Sequence, residues 1–249
     1  MNNAIQEIPS SHLALAFLPV IAVIFISWKW RLGYGTSVYA MSRMLVQLLL
    51  VGYVLAYIFE SDSALVVVGV LAVMLVSSSW ISLRTMGLPR RELYLKSFAA
   101  ISLGGGIVLV LMTQAVLDLA PWYFPRYVIP LAGMIFANGM NSVSLAGERL
   151  KAELGRDVPY EEARRIALNA SLIPITNSLF AVGLVSLPGM MTGQILSGVS
   201  PLIAARYQIM VMCMVYGAAG ISAAMFLALI ESNMTGGAET SPNSGAGAA

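Results

Sequence analysis

Long apolar runs separated by short polar connections dominate the chain, and their lengths set the architecture. A helix needs about 20 mainly apolar residues to cross the hydrocarbon core of a bilayer. Runs of that order stand at 13–28, 38–59, 64–83, 97–117, 128–145 and 207–229, and residues 168–187 supply a further one. The pattern predicts an all-α integral membrane protein of about seven transmembrane helices, with six plus a re-entrant segment as the alternative count. Trp28, Lys29, Trp30 and Arg31 close the first run as an interfacial anchor, and Trp122, Tyr123, Phe124 and Tyr127 form an aromatic belt before the fifth.

One polar stretch is long enough to leave the membrane. Residues 147–169 read GERLKAELGRDVPYEEARRIALN and predict a helical excursion. Glu148 and Lys151 stand at i,i+3, and Gly155 is a stop signal. Asp157 is placed to cap a second helix, with Pro159 in its first turn and Glu161 and Glu162 near the positive end of its dipole. Both glutamates precede Arg165 at helical spacing. The plain reading is a solvated connection held by its own charge pairs. The functional reading is a short amphipathic helix that docks on a partner through Glu161, Glu162, Arg164 and Arg165.

Charge then sets the orientation. The basic residues cluster after the first, third and fifth runs, and of the rest only Arg126 and Arg206 fall on the other side. The positive-inside rule puts the N-terminus outside and the excursion in the cytoplasm. Only 10% of the 249 residues are charged, against about 25% in a soluble domain. The net charge is +2, and no dense Lys/Arg run points to nucleic acid. Single Cys213 and His12 offer neither a disulfide framework nor a metal cluster. MNNAIQEIPSSH has no basic leader, so the first run is expected to be a retained span. One permease domain over 1–230, followed by a disordered tail over 231–249, completes the expected organisation.

Polar groups within the runs narrow the chemistry. Asn138 and Asn141 share a face of the fifth run with Ser142 and Ser144 nearby, while Asn177 and Gln114 could meet them from other spans. Interhelical hydrogen bonding is the plain reading, and a solute-contacting face is the functional one. Gly104, Gly105 and Gly106 allow another helix to approach closely, within the chain or from a second copy. The methionines around 190 and 210 read as packing more readily than as soft-metal ligands. No carboxylate lies at mid-span, and no G-x-x-x-x-G-K-[ST] stretch is present, so ATP-driven work requires a second polypeptide. Residues 183–208 mix Gly183, Pro188, Gly189, Gly193 and Pro201 with polar Gln194. Gly and Pro free backbone groups that are tolerated in a membrane only against protein or water, so the segment is expected to be a hinge or gate, at the outer side on a seven-span count.

The stretch GLVSLPGMMTGQILSGVSPLIAARYQIMV, preceded by Ile173, Pro174, Ile175, Thr176, Asn177 and Ser178, resembles the FetB-type iron-export ABC transporter permease family, which also includes plant aluminium-tolerance membrane proteins. PLAGMIFANGMN and VQLLLVGYVLAYIF carry the resemblance over nearly the whole chain. It implies a non-enzymatic permease of the bacterial inner membrane, a homodimer paired with a separate ATP-binding subunit that holds ATP and Mg while this chain binds no cofactor. Iron is the implied solute, with a role in metal homeostasis and oxidative-stress resistance. Plant members point instead to a nucleotide sugar, and a membrane scaffold without transport is a further alternative. Glu162-Ala163-Arg164 resembles the acidic-Ala coupling pattern of ABC permeases. Glu148, Glu161, Glu162, Ala163, Arg164 and Arg165 are thus expected to couple to the ATPase, and Asn138, Asn141, Asn177 and Gln194 to line the path. The excursion is shorter than in relatives, and Leu154-Gly155-Arg156-Asp157 departs from their Leu-Gly-Ala followed by Ser or Thr.

Overall fold

The computed structural model describes residues 8–60, 63–86 and 90–235. The expected tail from residue 236 onward, Glu7 and Asp62 lie outside the described residues. Among those described, the regular elements are helical, with one isolated bridge between Val182 and Ser186. A helix suits hydrocarbon because it satisfies its own N–H and C=O groups within one segment. Six helices are long and apolar enough to cross a membrane. The chain divides into two compact units, residues 1–62 with 196–198, and 63–195 with 199–249.

In the first unit α1 (Ser10–Leu15) and α2 (Leu18–Lys29) form one interrupted span. Pro19 cannot donate into the preceding turn, so the helical ladder breaks just before it. α3 (Tyr34–Phe59) follows and packs against α2. Ile58 is the one buried side chain described in these helices. Their apolar side chains, with Arg43 and Gln47 among them on α3, are exposed in the isolated chain.

The second unit contains α4 (Ala64–Ser82), α5 (Arg90–Val110), α6 (Pro125–Leu154), α7 (Tyr160–Ala181), α8 (Gly189–Leu196) except its last residue, and α9 (Pro201–Thr235). α5 runs on into a π-helical turn, Leu111–Val116. α6 is the hub, packing against α4, α5, α7 and α9. Named contacts fix the directions. The Ser82 and Ser97 hydroxyls lie 2.7 Å apart, tying the end of α4 to the start of α5. The Lys96 ammonium donates to the Leu229 carbonyl at 2.7 Å, so the start of α5 meets the end of α9. The Ser144 and Thr85 hydroxyls are 2.8 Å apart, which sets α4 parallel to α6. α4, α6 and α9 therefore run one way, and α5 and α7 the other. Ile101, Ile135, Leu150, Met214 and Phe226 fill the core between them.

Two glycines of the predicted smooth strip are used inside the chain. A Cβ on Gly104 would meet Ser222 of α9, and one on Gly105 would meet Ile135 and Phe136 of α6, while Gly106 faces open space. The predicted sixth span, 168–187, is corrected: α7 begins earlier and stops at Ala181, and a turn follows. Its first two turns carry Glu161, Glu162, Arg164 and Arg165, which keeps it out of the set that qualifies by composition. Its 22 residues nevertheless extend about 33 Å at about 1.5 Å per residue, a length comparable to the bilayer core. The helix α9 also continues to Thr235, past the expected start of the disordered tail.

Candidate functional site

The connection between α6 and α7 is a tight turn. Gly155 follows the last residue of α6, as its position predicts. Asp157 is not the cap of the next helix. It adopts a left-handed backbone, φ 61°, and Pro159 occupies the N-cap position instead, with no side-chain hydrogen bond to the helix. A proline there has no N–H to leave unsatisfied. Glu148, Glu161, Glu162 and Arg165 are exposed, Arg164 is half-buried and Ala163 is buried. The expected pair between Glu161 and Arg165 does not form. Arg164 takes Glu161 at 2.6 Å, and Arg165 stands 4.0 Å from Glu162. Lys151 turns away from Glu148 and donates to the Met86 carbonyl at 2.9 Å.

Three further residues of this end, Tyr160, Glu231 and Glu153, were not singled out from the sequence. The Tyr160 hydroxyl donates to the Leu227 carbonyl, and Arg164 reaches Glu231 at 3.8 Å, so the start of α7 is clamped on the end of α9. Burial, reinforced by the Glu231 carboxylate, pushes the Tyr160 hydroxyl up to about 12. Glu153 is buried and held by Arg149 at 2.7 Å and Arg156 at 3.5 Å. Its i,i+4 and i,i+3 spacing to those arginines was a usable signal. Between α7 and α9 a cavity of about 440 Å³ is lined by Glu161, Arg164 and Arg165 beside apolar Leu168, Ala224 and Leu227.

The amides expected to line a path are not gathered in one place. Asn138 is half-buried and donates to the Met134 carbonyl of its own helix at 2.8 Å. Asn141 and Asn177 are exposed. Among the described residues no hydrogen bond joins any two of Asn138, Asn141, Asn177 and Gln194. Beside these asparagines on α6 it is serines that bond to other segments: Ser142 donates to the Ser171 carbonyl of α7 at 3.4 Å, and Ser144 pairs with Thr85. Gln114 meets none of the asparagines and borders a separate cavity with Thr113 and Trp122.

The opposite end of this unit is closed by the Gly- and Pro-rich segment. Gly183 (φ 82°) and Gly198 (φ 90°) take the left-handed conformation that residues with a Cβ avoid. Gly189 and Gly193, by contrast, lie within α8, and Pro201 opens α9. At eight residues α8 is about 12 Å long, too short to span. The Pro188 carbonyl accepts from the Thr192 N–H, starting α8. Arg126, Tyr127 and Met134 of α6, Gln194 of α8, and Tyr207 and Met210 of α9 line a cavity of about 380 Å³. The Gln194 Oε1 is buried and has no hydrogen-bond partner. Pro130, also in the lining, deprives the Arg126 carbonyl of its i+4 donor.

A helical membrane unit with this polar hairpin at one end and the Gly- and Pro-rich closure at the other is the frame in which the comparisons fall. The pattern of the family described as "Uncharacterised protein family (UPF0014)" matches residues 10–159 and 156–234. The chain belongs to the UPF0014 family. A UPF0014 membrane protein of Synechocystis is 37% identical over 78% of this chain and 81% of its own length. The Escherichia coli protein named "Probable iron export permease protein FetB" is 35% identical over 87% of this chain and 88% of its own. The Arabidopsis thaliana protein named ALUMINUM SENSITIVE 3 is 32% identical, covering 84% and 81%. No solved structure matches. The resemblance drawn from residues 173–211 is thus a family membership, and this UPF0014 chain is a multi-pass membrane protein similar to a permease.

Proposed function

We propose that the chain is the permease subunit of an ATP-driven exporter in a bacterial inner membrane, with its N-terminus outside, working as a homodimer with a separate ATP-binding subunit. Iron, free or complexed, is the solute favoured by the name of the 35%-identical relative. One observation carries the coupling role. The hairpin exposes Glu161, Glu162 and Arg165, while Tyr160 and Arg164 fasten its second helix to the end of α9. A partner bearing on the exposed charges thereby bears on α9, whose other end contributes Tyr207 and Met210 to the cavity under α8. ATP binding then shifts the population between two arrangements of the spans. Exposed Asn141 and Asn177 are polar groups at membrane depth, which a second copy or a water path would cover.

The test reconstitutes the chain with an ATP-binding subunit and measures iron-stimulated ATP hydrolysis. Stimulation by the wild-type chain, lost when the charges of Glu161, Glu162 and Arg165 are reversed in a variant that still folds, is expected. Equal hydrolysis with and without the wild-type chain would remove the transporter reading.

A further inference from the structure

Arg126 is one of two basic residues that fall on the wrong side of the charge rule, and it lines the cavity under α8. Among the described residues it makes no ion pair, and Asp118, the acid nearest in the chain, does not reach it. The cavity lining carries no carboxylate, imidazole or thiol; its Met134, Met190 and Met210 thioethers suit only a soft ion, and the Arg126 charge opposes any cation, so a bare hard cation such as iron has no ligand set there. It offers instead one fixed positive charge, two phenols and an amide oxygen that lacks a donor. A buried acceptor without a partner is costly, and a ligand that brings a hydroxyl would satisfy it. The volume of about 380 Å³ lies within the range of small-molecule sites, about 300–1,000 Å³.

We propose that this cavity binds a small hydroxylated organic anion, with Arg126 holding a carboxylate and Gln194 Oε1 accepting from a hydroxyl. Tyr127 and Tyr207 supply the flanking polar contacts. This deepens the transport reading by naming the class of solute: the anion is carried alone or as the ligand shell of a metal ion. Two residues on different elements thus divide the recognition, one by charge and one by hydrogen bonding.

Citrate and tricarballylate, which differ by one hydroxyl, are the probes. Binding to the full chain in phosphatidylcholine nanodiscs is measured by calorimetry, with folding checked by thermal melting. Citrate is expected to bind about tenfold tighter than tricarballylate. Arg126→Gln should weaken both at least tenfold, Arg126→Lys less. Gln194→Leu should abolish the preference for citrate while leaving tricarballylate binding intact. Arg206→Gln, at the same end but outside the lining, should change neither. Equal binding by Arg126→Gln, an equal loss in Arg206→Gln, or occupation by phosphatidylglycerol with no citrate binding would overturn the proposal. Citrate binding that depends on Arg126 without any stimulation of ATP hydrolysis would keep this site and remove the transporter reading instead.

Discussion

Gly104 of α5 lies directly against Ser222 of α9: a Cβ added to the glycine would stand 2.8 Å from the serine hydroxyl oxygen and 2.9 Å from its backbone nitrogen. Gly139 of α6 faces the same hydroxyl from another helix, where an added Cβ would stand 3.0 Å from it. Three helices are packed backbone-close at this point, and the backbone contact leaves no flexible side chain to yield. Gly104→Ala should therefore destabilise the protein by about 1–3 kcal/mol. Gly106→Ala, with nothing within 4 Å, should be neutral or stabilising by up to about 1 kcal/mol through helix propensity. Thermal unfolding in detergent, compared for the two variants, checks the contrast.

Removing the Tyr160 hydroxyl should loosen the clamp between α7 and α9. Tyr160→Phe leaves the ring and costs about 1 kcal/mol, the usual net value of one hydrogen bond. The pH dependence has a definite sign. The hydroxyl titrates near 10 when unfolded and near 12 in the fold, so the folded state prefers the neutral phenol. Its contribution is complete below pH 10 and is lost as pH rises from about 10 to about 12. Melting curves of the wild type should fall more steeply than those of Tyr160→Phe across that window.

Glu153 is the buried anchor of the α6 end, with Arg149 and Arg156 as its partners. Both arginines keep solvent contact, so removing the carboxylate strands no fully buried cation. Glu153→Gln should then cost about 1.5–3 kcal/mol, the range for hydrogen bonds to charged groups. Arg156→Ala, losing only the longer and more exposed contact, should cost under about 1 kcal/mol. Unfolding temperatures at low and high salt check the ranking.

What the sequence made legible, and what it hid, follows from range. Apolar run lengths located α3 and α4 to within a few residues, because spanning a bilayer is a local requirement on a single segment, while α9 runs about six residues past the predicted run at each end. The end of α7 was misjudged because Leu184, Val185 and Leu187 are apolar yet sit in a turn; hydropathy cannot tell a lipid-facing turn from a helix. The amides show a different limit. Asn138 and Asn141 look like a polar face, but which partner a side chain meets depends on how α6 packs, and on this helix Ser142 and Ser144 make the bonds to other segments. Arg126 was visible as an exception to the charge rule, while its neighbours Tyr207 and Gln194 lie about 70–80 residues along the chain, beyond any periodicity.

The two ends of the second unit should be reachable from opposite sides of the membrane. Cys213 is exposed and is first replaced by Ala. Glu162→Cys should then react with a membrane-impermeant thiol reagent only from the cytoplasmic side, and Met190→Cys and Arg206→Cys only from the other. Labelling of all three from one side would contradict the antiparallel course of α7 against α6 and α9.

The last prediction separates hinge from helix within the Gly- and Pro-rich segment. Gly183 has φ 82° and donates its N–H to the Ser186 carbonyl at 3.0 Å, so it turns the chain out of α7. A Cβ has open space there but the backbone conformation is one that alanine resists, and Gly183→Ala should cost about 1–3 kcal/mol. Gly193 was expected in the same role, yet it lies within α8, where nothing surrounds its missing side chain. Gly193→Ala should instead stabilise α8 by about 0.5–1 kcal/mol. If α8 must move for solute to pass, stiffening it at Gly193 should slow transport while raising the unfolding temperature. Parallel measurements of uptake into inverted vesicles and of melting distinguish that outcome from Gly183→Ala, in which both should fall together.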